Sequence, residues 1–177
     1  MDTNRSLYEI EVALAKSREF DYIRNIVVFN VKGQGEMLPI HHECDVLVLS
    51  KSGYLTEIEI KRSWSDFLAD FKKRHKHDCR EYIKSFYYCV PLSIYDKVYQ
   101  KLKEKRINHT GIITYDEELY ITIHKRDWDF TYDERPPFVY TKKLFIEQRL
   151  ELARLGAMRT ILLKEKLIKL ENNNQKT

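Results

Sequence analysis

The chain has 177 residues, a formal net charge of +4 and 43% hydrophobic residues, which is enough for one folded domain with a core. It contains no run of about 18 apolar residues that would span a membrane, and its first residues lack the basic-then-apolar order of a signal peptide. The three cysteines, Cys44, Cys79 and Cys89, make no disulfide framework. We therefore expect a protein of the reducing cytoplasm.

The spacing of apolar residues predicts helices and strands in the order α, β, β, β, α, β, α, β, β, α. In chain order they are a helix capped by Asp2 or Thr3 and ending near Ser17, strands at 22–31, 45–49 and 54–61, a helix from Ser63, a strand at 84–90, a helix at 93–106, strands at 110–115 and 119–124, and a helix from 141 to about 170. At the start of the second helix, Ser63 and Asp66 have the pattern of a capping box. This order is typical of an α/β fold with a central mixed sheet flanked by helices.

The last predicted helix carries leucines at a spacing of three to four residues, which indicates one apolar face. Gly156 is expected to interrupt this helix and to break it in two, because glycine is a poor helix former. We expect 1–135 to form the α/β domain and 136–177 to form a helical extension. The extension packs on the core or, as the second interpretation, joins two chains in a homodimer.

Positive charge is concentrated in two segments. Residues 61–84 hold eight Lys or Arg against four Asp or Glu, and residues 141–177 hold nine against four. Such segments can contact nucleic-acid phosphates, but solvated helix faces carry the same charges, and charge alone does not separate these interpretations. In the first segment, the residues that we expect at the backbone of DNA are Lys72, Lys73, Arg74, His75 and His77.

The arrangement that indicates chemistry is Asp45, thirteen residues, and then Glu59-Ile60-Lys61. Asp45 opens a predicted strand, and Glu59 and Lys61 stand two apart on the next strand, so their side chains share a face. If the strands pair, two carboxylates and an ammonium converge. Carboxylate oxygens select Mg²⁺ or Mn²⁺, so we expect Asp45 and Glu59 as metal ligands, with the backbone carbonyl of Ile60 as another. Lys61 would orient the attacking water or stabilise developing charge during phosphodiester hydrolysis.

Three other interpretations concern Glu59 and Lys61 and the histidines and cysteines nearby in the sequence. Glu59 and Lys61 could form an ordinary surface ion pair of little energetic value. Histidines and cysteines occur at 41–44 and 75–79, but their spacing matches no standard closed zinc site. His42 lies close to Asp45 in the sequence and could take part in the same site. A histidine in a turn, without a role in the site, is the simpler interpretation.

The segment from Asp45 to Lys61 resembles the PD-(D/E)XK nuclease superfamily, whose core is an Asp, a short strand and then (D/E)-x-K on the next strand. A longer run resembles the MmcB-like DNA-repair branch over about residues 40–91. This run consists of Glu59-Ile60-Lys61-Arg62-Ser63, then Asp66-Phe67, Asp70 and Lys72, and then Phe86-Tyr87-Tyr88-Cys89-Val90-Pro91. The branch's helix lysine matches Lys72, which we then expect near phosphate. Cys44 stands where the superfamily's name has Pro, a position that does no chemistry.

The resemblance implies a restriction-endonuclease-like fold with an αβββαβ core. It implies that Asp45 and Glu59 are metal ligands and that Lys61 is the catalytic lysine. It also implies an acidic residue from the first helix, for which Glu9 and Glu11 both qualify.

The function that we expect is metal-dependent hydrolysis of DNA in repair, recombination or phage DNA processing. The alternative is a non-catalytic nucleic-acid-binding or assembly protein on the same fold. A junction resolvase, which would need a dimer, is a second alternative.

Overall fold

The structure is a computed structural model that describes residues 5–33, 37–40, 42–71, 81–107, 110–124 and 141–174. Within these ranges the helices and strands follow one another in the order that the sequence predicts. The helices are α1 (Leu7–Lys16), α2 (Trp64–Asp70), α3 (Tyr95–Glu104) and α4 (Ile146–Asn174), and a 3₁₀ turn at Leu92–Ile94 leads into α3. The strands are β1 (Ile26–Lys32), β2 (Glu43–Leu49), β3 (Leu55–Ile60), β4 (Ile83–Pro91), β5 (Thr110–Tyr115) and β6 (Ile121–His124).

The strands form one mixed sheet in which spatial order equals chain order, from β1 to β6. β1, β2 and β3 are antiparallel neighbours, β3, β4 and β5 run parallel, and β6 returns antiparallel to β5. Parallel neighbours require crossover connections, and these contain α2 and α3. The predicted α/β class with a central mixed sheet, flanking helices and a long C-terminal helix is confirmed.

The alternation of side chains along the strands divides the core between the two faces of the sheet. On one face, Ile10 and Leu14 of α1 pack with apolar residues of the central strands. On the other face, Leu152 of α4 packs at the β1–β3 side, and Phe67 of α2 packs with α3 residues over β4 and β5. The glutamates of β3 alternate with residues of the α1 face, so they point to the face that α2 and α4 cover.

The first helix has a different cap from the one predicted. Its N-cap is Ser6, not Asp2 or Thr3, and Ser6 and Glu9 exchange both hydrogen bonds of a capping box. Neither of the predicted caps has a Glu or Gln three residues later, whereas Ser6 does, which explains why the helix begins there.

The capping box predicted for α2 is formed only in part. Ser63 accepts a hydrogen bond from the N–H of Asp66, as predicted. Asp66, however, accepts from the N–H of Arg62 and thereby reaches one residue further back than expected.

The first two strands also differ from the prediction at their starts. β1 begins at Ile26 and not at residue 22, because Asp21 holds the following residues in a turn by accepting hydrogen bonds from the N–H groups of Ile23 and Arg24. β2 begins at Glu43, so Asp45 lies inside the strand and does not open it.

The last helix runs through Gly156 without a break, contrary to the prediction. A Cβ atom at Gly156 would lie 3.2 Å from Val28 Cγ2, so the glycine lets α4 approach β1 closely. Leu144, just before α4, and Leu152 within it are buried in the core. The expected boundary at 135/136 lies outside the described residues. No described helix combines the length and the apolar character needed to cross a membrane.

Candidate active site

Asp45 and Glu59 meet where β2 begins and β3 ends. The register of these antiparallel strands pairs Val46 with Ile58, which sets Asp45 opposite Glu59. The backbone N–H of Ile60 donates to Asp45 Oδ2 at 2.8 Å. The two predicted ligand carboxylates and the Ile60 peptide therefore lie together where β2 begins and β3 ends.

Lys61 follows β3 directly and is almost fully buried, with 3% of its surface exposed. Its ammonium donates to Glu59 Oε2 at 2.9 Å and to Asp70 Oδ1 at 3.0 Å. Glu59 and Asp70 are buried as well. The alternative of an exposed surface pair is therefore excluded, because these charges are held together between β3 and α2, away from solvent.

Tyr88 on β4 extends this network. Its hydroxyl donates to Asp70 Oδ2 at 2.8 Å, so Asp70 binds Lys61 with one oxygen and Tyr88 with the other. The parallel register of β3 and β4 places Tyr88 beside Glu59. Groups from β3, α2 and β4 thus fix the position of the lysine ammonium.

The first helix brings Glu11, and not Glu9, to this region. Glu9 is exposed, and its carboxylate accepts from the N–H of Ser6 in the helix cap. Glu11 is buried and accepts from Asn30 Nδ2 at 2.8 Å, and Asn30 occupies the β1 position opposite Asp45. Burial raises the pKa of Glu11, the Asn30 hydrogen bond offsets this in part, and the Asp45 charge raises the pKa further.

Burial and the neighbouring charges shift the pKa values of Glu59 and Lys61. Burial raises the pKa of Glu59 to about 7, the Asp45 charge adds to the increase, and Lys61 offsets it only in part. Burial alone would lower the pKa of Lys61, but Glu59 and Asp70 outweigh burial and raise it above its ordinary value. Lys61 therefore stays protonated at neutral pH, whereas Glu59 titrates much closer to neutral pH than an exposed glutamate does.

A second buried group adjoins the first. His42 Nε2 lies 2.6 Å from Glu57 Oε1 and 3.4 Å from Cys44 Sγ. Glu57 is two residues before Glu59 on β3, and Cys44 directly precedes Asp45 on β2. Burial raises the pKa of the Cys44 thiol to about 12, with the His42 hydrogen bond acting against it.

Three of these side chains had no assigned role in the sequence interpretation. Tyr88 and Asn30 act through partners on other elements, and no local pattern pairs residues that are 18 or 19 positions apart. Glu57 sits in an alternating strand, where a glutamate looks like a surface residue, yet only 1% of it is exposed. Asp70 was part of the matched motif, but its contact with Lys61 needs the turn into α2.

The predicted DNA contacts at Lys72, Lys73, Arg74, His75 and His77 lie outside the described residues. Within the described chain, a cleft of about 810 Å³ runs between α1, β1 and α4. Glu11 lies on its wall, and the basic residues that line it come from α4. These basic residues are Arg159, Lys166 and Lys169.

No protein-family model matches the chain, and no curated protein matches it. A solved structure does match: the SPO1766 protein of unknown function from Silicibacter pomeroyi has 19% sequence identity and a TM-score of 0.54. The match covers 97% of this chain and 94% of that chain. At this identity it shows a shared α/β fold along nearly the whole length and carries no information about activity.

Proposed function

We propose that the protein is a metal-dependent nuclease of the PD-(D/E)XK type, with a restriction-endonuclease-like fold. The observation that carries the proposal is the convergence of the half-buried Asp45 with the buried Glu59 and Lys61, joined by Glu11 from α1. Like charges that are buried together destabilise a fold, so such a group is more typical of a functional site than of a structural one. The order α1–β1–β2–β3–α2–β4 also agrees with the αβββαβ core of that superfamily.

The donor set fits Mg²⁺ or Mn²⁺, because it consists of carboxylate oxygens beside a peptide group. Asp45 and Glu59 would hold the ion, with the Ile60 carbonyl as a further ligand and Glu11 as the additional acid of the first helix. When bound, the ion would neutralise phosphate charge and lower the pKa of a bound water.

Lys61 supplies a fixed positive charge for the phosphodiester. Glu59 and Asp70 hold its ammonium from two sides, and Tyr88 holds Asp70. A charge that is fixed before the reaction stabilises developing negative charge without first having to reorganise. We place the reaction on DNA in repair, recombination or phage DNA processing, with basic residues such as Arg159 contacting the backbone.

The test is cleavage of end-labelled single-stranded, duplex and branched DNA with Mg²⁺ or Mn²⁺, with EDTA as the blank. We expect metal-dependent cutting that falls by about 10²–10³-fold in Lys61→Ala, because one transition-state charge is lost. Lys51→Ala, in the exposed turn between β2 and β3, is the matched control and should cut like the wild type. Asp45→Asn, a nearly isosteric change, should also abolish cutting, and circular dichroism shows whether each variant is folded.

The outcomes separate the proposal from its alternative. Cutting that Lys61→Ala and Asp45→Asn both retain would come from a contaminating nuclease and would refute the site. Salt-sensitive binding of DNA without cutting would support the non-catalytic binding protein instead. Absence of both binding and cutting on every substrate would overturn the assignment to DNA.

A further inference from the structure

The group of His42, Cys44 and Glu57 is distinct from the carboxylate group in its chemistry. It combines an imidazole, a thiol and a carboxylate, one from each residue. Cys44 and Glu57 are essentially inaccessible, and the His42 side chain is 12% exposed. All three ligand atoms lie within 4.8 Å of one another.

The two separations that involve His42 are close to those of a metal site. In a tetrahedral zinc site with bonds of about 2.0–2.3 Å, the ligand atoms are about 3.3–3.8 Å apart. The distance of 3.4 Å between Cys44 Sγ and His42 Nε2 already falls in this range. The 2.6 Å hydrogen bond between His42 and Glu57 must widen by less than about 1 Å to admit an ion, which small side-chain rotations can provide.

The structure assigns His42, Cys44 and Glu57 as a zinc site with three protein ligands and a fourth position for water. Thiolate and imidazole select a borderline-soft cation such as Zn²⁺ over Mg²⁺, which prefers oxygen ligands throughout. The site is thus chemically separate from the one at Asp45 and Glu59, although both use β2 and β3. Bound zinc ties the residues just before β2 to β3, next to the carboxylates of the candidate active site.

The experiment uses full-length protein stripped with EDTA and titrated with Co²⁺, a spectroscopic substitute for zinc. In the presence of excess Mg²⁺, which occupies the carboxylate site, we expect a near-ultraviolet thiolate-to-cobalt charge-transfer band that saturates at about one Co²⁺ per chain and that Zn²⁺ abolishes. Cys44→Ser should abolish the band. Cys79→Ser and Cys89→Ser, the matched losses of the other thiols, should keep it.

A second pair of variants tests the remaining ligands. Glu57→Gln and His42→Ala should each weaken zinc binding by at least about tenfold in a competition with a chelating dye. Glu43→Gln, an exposed neighbour on β2, should leave it unchanged. Because the band is measured first on the wild-type protein, a variant that fails to fold does not decide the result.

Two results would overturn the zinc site. The first is wild-type protein that binds Co²⁺ without a thiolate band. The second is a band that disappears with Cys79→Ser or Cys89→Ser but survives Cys44→Ser. Neither result bears on cleavage by the Mg²⁺ site, so the two proposals fail independently.

Discussion

Buried charge is the feature that sets Lys61 apart from the other lysines of the described chain. Its ammonium has lost most of its hydration, and two carboxylates, Glu59 and Asp70, replace the water. The attraction between such charges repays desolvation only when hydrogen bonds satisfy the remaining atoms, and Tyr88 provides one of these to Asp70. Substitution of one residue of this network at a time therefore tests what that residue contributes to stability and, separately, to activity.

Tyr88→Phe removes the hydroxyl that donates to Asp70 and keeps the aromatic ring. We expect the free energy of unfolding to fall by about 1.5–3 kcal/mol, because the lost hydrogen bond is made to a charged, buried acceptor. Urea unfolding followed by circular dichroism measures the change. Tyr120→Phe, at a side chain that is 71% exposed, should alter it by less than about 0.5 kcal/mol. Equal effects of the two substitutions would show that the Tyr88 hydrogen bond adds no stability.

We expect Glu59 to make the stability of the protein depend on pH. Its pKa rises from 4.5 in the unfolded chain to about 7 in the folded one, so the folded state binds the proton more tightly. The stability from this group is complete below about pH 4.5 and is lost as the pH rises through about 7. Between pH 5 and pH 8 in EDTA, the free energy of unfolding of Glu59→Gln should therefore fall by about 1–3 kcal/mol less than that of the wild type.

Chemical denaturation at the two pH values measures this difference. Glu9→Gln, the same substitution at an exposed glutamate, should keep the wild-type dependence on pH. Identical pH profiles for wild type and Glu59→Gln would mean that the buried carboxylate of Glu59 titrates at its ordinary pKa.

At the scale of helices and strands, apolar periodicity predicts the element order, and the errors lie at the ends of elements and at Gly156 within α4. The start of β1 was misjudged because the Asp21 turn competes locally with an apolar strand pattern. The helix propensity of Gly156 predicts a break, but α4 continues through it and approaches β1 so closely that a Cβ atom there would crowd Val28. At Asp21 a local turn overrides the strand pattern, and at Gly156 the packing of α4 on β1 overrides helix propensity.

The residues of the candidate site also fall into those that the sequence predicts and those that it does not. Asp45, Glu59 and Lys61 could be predicted, because strand pairing and a two-residue period place them together. The choice of Glu11 over Glu9 required the orientation of α1 on the sheet, and the role of Tyr88 required the parallel pairing of β3 with β4. Contacts that depend on how helices and strands pack cannot be predicted from the spacing of residues in the sequence.

The cap of α1 can be tested against the one predicted from sequence. Ser6→Ala should lower the free energy of unfolding by about 1 kcal/mol, because the side chain of Ser6 satisfies the N–H of Glu9 in the first turn. Thr3→Ala should cost less than about 0.5 kcal/mol. Thermal unfolding of both variants measures the two effects. A larger loss for Thr3→Ala than for Ser6→Ala would favour the predicted cap over the observed one. Because α1 carries Glu11, Ser6→Ala should also weaken metal-dependent cleavage slightly without abolishing it.

At the scale of the whole molecule, α4 has two halves with different surroundings. Leu152 is buried against the sheet and a Cβ atom at Gly156 would meet Val28, whereas every described side chain at 157–173 is exposed. The exposed half nevertheless carries large apolar residues that solvent alone does not explain. These are Met158, Ile161, Leu162, Leu163, Leu167, Ile168 and Leu170. The packing interpretation thus applies to the first half of α4, and the second half has the composition of a helix that meets another helix.

We expect this exposed half to pair with its counterpart in a second chain and to form a homodimer. Leu163 and Leu167 lie one turn apart, and a charge at both positions would be buried without a partner in such an interface. Sedimentation velocity at micromolar concentration should give a dimer for the wild type and a monomer for the double variant Leu163→Lys, Leu167→Lys. The control Lys164→Gln, Lys169→Gln alters polar positions of the same helix and should remain dimeric. A wild-type protein that sediments as a monomer up to the highest loading would remove the dimer and, with it, the junction-resolvase alternative, since that activity requires two active sites held together by the assembly.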